Sequence, residues 1–68
     1  RIKGNWKEFT GKVKEQWGKL TNDDLDVIDG KREQFIGKLQ EREGVVREVA
    51  EQQLKDWHTR NPDFRFND

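Results

Sequence analysis

The six glycines of this chain fall into two sets that share one spacing. Neighbouring glycines are seven residues apart in each set, and the sets are offset by 26 residues: Gly4, Gly11 and Gly18, then Gly30, Gly37 and Gly44. The same offset superimposes Phe9 on Phe35. A repeat of this kind is typical of a helical unit that buries its apolar face only against its twin. We therefore predict two units, residues 4–29 and 30–55, within a single domain that covers residues 1–68.

Apolar spacing predicts an all-α fold of four short helices. In the first helix the apolar residues recur at steps of three and four, which places them on one face. Each unit then consists of one helical hairpin, and the two hairpins pack against each other. The predicted helices cover residues 5–17, 22–29, 31–43 and 45–60, and the apolar face of the first consists of Trp6, Phe9, Val13, Trp17 and Leu20.

Capping residues predict where these helices begin and end. Asn5 and Thr21 precede the first two helices, and each side chain can accept a hydrogen bond from an amide of the first turn. Gly18 and Gly44 follow the first and third helices, where a left-handed residue is favoured. Gly30 is expected to close the second helix. The duplication should therefore be visible at the helix boundaries.

The fourth helix and the tail leave one question open. The helix is expected to end before Pro62, because the residue before a proline is pushed towards extended angles. Gln53 lies within the apolar face and needs hydrogen-bond partners, for which backbone carbonyls or a charged helix end are the candidates. Residues 61–68 either fray or return Phe64 and Phe66 to the core. The apolar face itself consists of Val46, Val49, Ala50, Leu54 and Trp57.

Gly11 and Gly37 lie in the middle of predicted helices, on the side opposite the apolar residues. Each destabilises its helix by about 1 kcal/mol relative to Ala, a large fraction of the stability of so small a domain. We favour an internal explanation, in which another helix of the same domain approaches these glycines closely. The alternative is a shallow groove for a partner.

Charge is abundant but balanced. Charged residues make up 41% of the chain, and 14 basic residues match 14 acidic ones, which argues against a strong general affinity for nucleic acid. Residues 1–20 carry a net charge of +4 and residues 21–30 a net charge of −4, and we expect these segments to neutralise each other. The chain has no Cys, which favours a cytoplasmic location. No apolar stretch exceeds three residues, so neither a secretory signal nor a membrane span is expected.

Catalysis and metal binding find little support in the sequence. There is no Ser, Cys or Tyr to act as a nucleophile, and His58 has no convergent partner. The acidic run that begins at Asn22 does not fit a calcium loop, because Ile28 falls where a ligand is required. We therefore predict a non-enzymatic protein without cofactor or metal, and we interpret the acidic run as a solvated, capped helix start.

One candidate binding patch lies on the first helix. Lys3, Lys7 and Lys14 share one side, and Trp6 or Trp17 would be the candidates for stacking on bases. The tryptophans belong to the apolar face, however, and three lysines make a weak patch. Nucleic acid is therefore the less favoured partner. A basic, amphipathic segment is also compatible with binding to a membrane surface. This alternative is less favoured, because the apolar face of the helix has a partner available within the domain.

Two stretches of the chain resemble the CsbD-like family of bacterial stress proteins. The first runs from Gly4 to Leu25 and includes the motif Trp-Gly-Lys-Leu-Thr-Asn-Asp-Asp; the second runs from Gly30 to Arg42, and the similarity ends near Trp57. The resemblance implies two roughly orthogonal helical hairpins related by a pseudo-twofold axis, similar to a SAM domain. It also implies induction in general stress responses, and it brings no activity, substrate or catalytic residue.

Two functional hypotheses follow from these patterns. The favoured one is a hydrophilic protectant, kept hydrated at high abundance by its charge, that acts on protein clients through weak and dispersed contacts. The alternative is a binding module that uses the basic side of the first helix for one protein partner or for nucleic acid. The sequence leaves the oligomeric state open.

Overall fold

Four helices form the part of the chain that the structure describes. The structure is a computed structural model that describes residues 6–62 and residue 64, and within these residues it contains helices and no strand. The predicted all-α fold class and the four helices are confirmed. The helices are α1 (Trp6–Gln16), α2 (Asn22–Ile28), α3 (Arg32–Glu43) and α4 (Arg47–Arg60).

The third helix is central to the packing. α3 packs against both α2 and α4. The α1 segment joins it through aromatic side chains, because Phe9 and Trp17 each contact Phe35 edge-on, with ring centroids 6.2 and 5.2 Å apart. The buried apolar residues form one cluster: Phe9, Val13, Trp17, Leu20, Leu25, Ile28, Phe35, Ile36, Leu39, Ala50, Leu54, Trp57 and Phe64.

Aromatic side chains occupy much of this core. Phe9 contacts Trp57 and Phe64, with ring centroids 5.9 and 5.6 Å apart, and Phe64 stacks on Trp57 at 5.7 Å. Aromatic pairs of this kind contribute about 0.5–1.5 kcal/mol each beyond the burial of their area. Of the two alternatives for the tail, a return to the core is confirmed for Phe64. Phe66 lies outside the described residues.

Two predicted helix boundaries are confirmed in detail. Thr21 is the N-cap of α2: its hydroxyl accepts a hydrogen bond from the Asp24 amide, and the Asp24 carboxylate accepts one from the Thr21 amide. Gly44 ends α3 in the left-handed region, with φ 66°, and its N–H donates to the Gln40 carbonyl. These bonds satisfy backbone groups that a helix end leaves without intrahelical partners. The other predicted cap, Asn5, lies outside the described residues.

Of the two other glycines predicted to end a helix, Gly30 follows α2 in the left-handed region, whereas Gly18 does not play the predicted part. Gly18 is not left-handed, because the chain leaves α1 through a turn in which the Leu20 N–H donates to the Trp17 carbonyl at 3.1 Å, and this turn needs no positive φ. At the end of α2 the cap is Asp29, with φ 44°, and Gly30 follows it with φ 78°. The duplication is therefore only partly visible at the helix boundaries.

The predicted apolar face of α4 is wrong at its beginning. Val46 is 67% exposed and Val49 is 42% exposed, so the buried part of the face begins at Ala50. The helix begins at Arg47 and not at residue 45, because Val46 is still extended, with φ −74° and ψ 162°. Val46 serves as the N-cap without a side-chain hydrogen bond. Its β-branched side chain has no oxygen that could accept one.

Gln53 has a partner that the sequence did not predict. Its side-chain carbonyl accepts a hydrogen bond from the indole N–H of Trp17 at 3.2 Å. The bond links α4 to the residue that follows α1. The buried indole N–H of Trp17 thereby has an acceptor. The expected partners of Gln53 were backbone carbonyls or a charged helix end.

Candidate functional site

The basic side of α1 is exposed. Lys7 and Lys14 are seven residues apart, and therefore lie two helical turns apart on the same side of the helix. The Lys14 ammonium also donates a hydrogen bond to the side-chain carbonyl of Asn22, at the start of α2. Lys3, the third residue of the predicted patch, lies outside the described residues. The structure thus brings two of the three predicted lysines together on one helix side.

Of the two tryptophans near this patch, Trp17 is not available for stacking on bases. Trp17 is 3% exposed and belongs to the core. Trp6 is half-buried and stacks on Phe9, with ring centroids 5.4 Å apart. A base cannot stack on a ring whose faces are already covered by the core, so Trp17 contributes nothing to the patch.

A buried carboxylate lies at the start of α2. The Asp24 side chain is 3% exposed and accepts two hydrogen bonds from the Arg42 guanidinium, at 2.9 and 3.0 Å. The Lys38 ammonium lies 3.5 Å from the same carboxylate. The charge pattern had predicted that the lysines of the first helix would balance the acidic segment. Both cations at Asp24 belong to α3 instead, so the prediction is wrong at this residue.

The surroundings of Asp24 favour its charged form. The Arg42 hydrogen bonds lower the pKa of this carboxyl most, burial opposes them, and the hydrogen bond from the Thr21 amide lowers the pKa further. The result is a pKa well below the usual value of 3.8. The group therefore remains ionised at neutral pH, where it joins α2 to α3.

The sequence analysis interpreted the acidic run as a solvated helix start. This interpretation is wrong at Asp24, and it missed the ion pair with Arg42. The repeat contains a signal that identifies it. The 26-residue offset places Asp24 on Ala50, and Ala50 is a core residue. A carboxylate at a position whose twin is buried needs a cation or hydrogen bonds, because an unpaired buried charge is costly.

An open groove of about 700 Å³ lies between α3 and α4. His58 is half-buried and lines it together with Arg32 of α3 and the charged side chains of Glu48, Glu51 and Lys55 of α4. The lining mixes charges of both signs and includes no Thr, and the chain has no Ser, Cys or Tyr. The lining therefore places no hydroxyl or thiol nucleophile beside His58.

Gly11 and Gly37 both face open space. A Cβ on either residue would meet no atom within 4 Å beyond the nearby backbone of its own helix. The favoured explanation, a close internal helix crossing at these glycines, is therefore wrong for the described residues. The alternative, a shallow outer surface that a partner approaches, remains a hypothesis.

Metal and membrane sites find no support in residues 6–62 and 64. These residues contain no group of three His, Asp or Glu side chains that could hold a metal ion. Their helices are too short and too polar for any of them to span a bilayer, and the longest, α4, has 14 residues.

Core and surface together define a class of protein: a small all-α domain with an aromatic core and a densely charged surface. The family model described as CsbD-like matches residues 1–52. The chain belongs to the CsbD-like family, as the resemblance had implied.

Curated bacterial proteins are similar to this chain over most of its length. UPF0337 protein YjbJ of Escherichia coli strain K12 is 62% identical over 58 residues, which cover 85% of this chain and 84% of that protein. UPF0337 protein ECA0631 of Pectobacterium atrosepticum is 63% identical over 54 residues, covering 79% and 78%. UPF0337 protein PA4738 of Pseudomonas aeruginosa is 56% identical over 59 residues, covering 87% and 91%. The names of these three relatives state no substrate or partner.

Proposed function

We propose that this chain is a non-enzymatic stress-response protein that acts as a hydrophilic protectant in the cytoplasm. The stress-response role is what membership of the CsbD-like family implies. The proposed mechanism is weak and dispersed contact between the charged surface and protein clients that are close to unfolding. Such contacts keep clients apart without a specific binding pocket.

The observation that carries this proposal is the division of side chains between core and surface. The large rings of Phe9, Trp17, Phe35 and Trp57 are buried against one another, while 41% of the chain is charged. A surface of mixed charge without a large apolar patch favours solubility and disfavours tight association. Among the described residues the exposed large apolar side chains are three valines: Val27, Val46 and Val49.

A non-enzymatic role is supported by the chemistry around the one histidine. His58 lines an open groove of mixed charge whose lining includes no hydroxyl or thiol side chain. The low-dielectric, enclosed surroundings that strengthen catalytic interactions are not a feature of an open groove.

The repeat supports a finer proposal for the fold. We place α1 with α2 in one hairpin and α3 with α4 in a second, related by a pseudo-twofold axis in a SAM-like arrangement. Phe9 and Phe35, which the 26-residue offset superimposes, are both buried and contact each other at 6.2 Å. A contact between equivalent residues of two units is what a twofold relation between them produces.

The second candidate function is a binding module for one protein partner or for nucleic acid. It is favoured by one observation, the exposure of Lys7 and Lys14 on the same side of α1. It is weakened by the hydrogen bond that holds the Lys14 ammonium to Asn22, since this bond would have to be exchanged for a contact with the partner.

The two functions differ in stoichiometry and in their response to charge reversal. The test measures aggregation of a heat-labile enzyme as the protein is titrated, for the unmodified chain and for Lys7→Glu with Lys14→Glu. The matched control is Lys12→Glu with Lys19→Glu, which changes the net charge equally at two other exposed lysines. Circular dichroism verifies that both variants keep their helices.

A protectant suppresses aggregation at comparable mass to the client, and both double variants act like the unmodified chain. A binding module saturates at a fixed molar ratio and fails only in Lys7→Glu with Lys14→Glu. Labelled DNA and RNA are titrated in parallel at physiological salt. Saturable binding that the same variant abolishes, with a log–log salt slope of about −2 for two phosphate contacts, would replace the protectant by the nucleic-acid module.

A further inference from the structure

The two halves of the molecule are joined by a short turn with left-handed backbone. We define the first half as residues 6–29, with α1 and α2, and the second half as residues 31–62, with α3 and α4. At the junction Asp29 has φ 44° and Gly30 has φ 78°. A left-handed conformation is strained for a residue that has a Cβ, so the turn is strained at Asp29.

Aromatic contacts of the core run from one half to the other. Trp17 of the first half contacts Phe35 and Trp57 of the second, with ring centroids 5.2 and 6.0 Å apart. Phe9 of the first half contacts Phe35 at 6.2 Å. Each of these rings therefore has at least one aromatic partner in the other half. The second half of another copy of the chain has the same residues, so it can supply the same contacts to these rings.

Polar contacts cross the same boundary. The carboxylate of Asp24, in the first half, is bound by the guanidinium of Arg42, in the second. The side-chain carbonyl of Gln16 accepts a hydrogen bond from the Arg60 guanidinium at 3.2 Å, across the surface of the two halves. Neither contact requires that its two residues belong to one chain.

Straightening the turn keeps two backbone hydrogen bonds that flank it and exchanges a third. The Asp29 N–H already donates to the Leu25 carbonyl, and the Phe35 N–H to the Lys31 carbonyl, which are the four-residue steps of an α-helix. In the turn the Lys31 N–H donates to the Ile28 carbonyl. In a straight helix it would donate to the Val27 carbonyl instead. A continuous helix requires new backbone angles at three residues, the left-handed Asp29 and Gly30 and the extended Lys31, which has φ −97° and ψ 121°. The change is confined to these three residues.

From these observations we propose that two copies of this chain exchange halves and form a domain-swapped dimer. In the dimer α2 and α3 merge into one helix over residues 22–43, about 33 Å long. The first half of each copy packs on the second half of the other, so the contacts between halves are retained while the strain at Asp29 is released. The partner is a second copy, held by the surface that forms the core of the monomer.

Two effects oppose each other at the turn. Release of Asp29 from the left-handed region favours the dimer by about tenfold per chain, and Gly30 within a helix disfavours it by about fivefold. The loss of translational freedom makes the dimer depend on protein concentration. Substitutions at these two residues therefore shift the equilibrium in opposite directions.

The test uses the absence of Cys from the chain. One batch carries Gln16→Cys and a second carries Arg60→Cys, and the two are unfolded, mixed, refolded together at high concentration and oxidised. In a monomer, positions 16 and 60 of the same chain contact each other. Each chain in the mixture carries only one of the two cysteines, so few disulfides form between monomers. In a swapped dimer position 16 of one chain meets position 60 of the other, and mass spectrometry identifies a disulfide between the two different chains.

We expect this mixed disulfide to exceed the two symmetric ones, and to decrease when refolding is done at low concentration. Gly30→Ala should raise the dimerisation constant by about a thousandfold. At each of the two hinges, Ala favours the helix of the dimer and disfavours the left-handed turn of the monomer, which together amount to about thirtyfold per hinge. Asp29→Gly should lower it by about tenfold per hinge, since glycine accepts the left-handed turn.

Mixed and symmetric disulfides in random proportion at every concentration would overturn the proposal. So would a dimer fraction, measured by light scattering, that neither hinge variant changes. If Gly30→Ala loses its helical circular dichroism, the comparison of the unmodified hinge with Asp29→Gly decides the matter on the same mixed-disulfide measurement.

Discussion

Replacing Trp17 by Ala removes the side chain that ties the end of α1 to both α3 and α4. The indole is 3% exposed, contacts Phe35 at 5.2 Å and Trp57 at 6.0 Å, and donates to the Gln53 side chain at 3.2 Å. The substitution therefore opens a cavity in the aromatic core and removes one hydrogen bond. It affects no exposed charge.

The size of the effect follows from these contacts. A buried Trp→Ala substitution costs about 3–5 kcal/mol of unfolding free energy. The lost hydrogen bond adds about 1 kcal/mol at most, because Gln53 is only half-buried and regains water. We expect a loss of about 4 kcal/mol, against a total stability of about 3–10 kcal/mol for a chain of 68 residues. The variant should therefore lose about two fifths or more of its stability, and its urea midpoint should fall accordingly.

Urea denaturation followed by far-ultraviolet circular dichroism measures this loss. Trp17→Phe is the matched control, because it keeps an aromatic ring and loses the indole N–H, and it should cost about 1–2 kcal/mol. A cooperative transition of Trp17→Ala with the midpoint of the unmodified chain would refute the reasoning. It would place Trp17 at the surface and make it available for stacking.

Three further predictions concern the ion pair, the open glycines and the halves. The pKa of Asp24 lies below 3.8, so its contribution to stability is present above about pH 4 and is lost as the pH falls; urea midpoints should decline with acid in the unmodified chain and decline less in Asp24→Asn. Gly11→Ala and Gly37→Ala should each raise the unfolding free energy by about 0.5–1 kcal/mol, because a Cβ meets open space there, whereas Gly44→Ala should lower it because φ is 66°; a loss of stability in the first two would mean that the backbone of these helices needs glycine. A peptide of residues 1–29 should show no cooperative thermal transition, because its apolar residues find their partners in the other half; a sigmoidal melt would contradict this.

Local patterns in the sequence predicted the helices well. Phe9 and Val13 were placed on the core face of α1 by their spacing of four, and Thr21 was recognised as a cap by its position before a polar first turn. Such predictions succeed because capping and amphipathic spacing depend on residues within one or two turns. The same local logic failed at Val46 and Val49, which have the right spacing and nevertheless face solvent.

Contacts between distant segments were not predictable in the same way. Nothing within a few residues of Asp24 announces that Arg42 will cover it, or that Gln53 will receive the Trp17 N–H. These partners depend on how the helices cross, which apolar spacing does not determine. For the candidate patch, the sequence placed Lys7 and Lys14 on one side of α1, and the hydrogen bond from Lys14 to Asn22 again came from the fold alone.

The aromatic core has a consequence for how the chain folds. Phe9 contacts Phe35, 26 residues away, and Phe64, 55 residues away. Such pairs form only after long loops have closed, and the entropy of closure must be overcome before any of the contacts stabilises the chain. Helical proteins usually fold fast because their contacts are local. In this chain the helices are local but the core is not, so we expect docking of the segments, and not helix formation, to set the rate at which the native state appears.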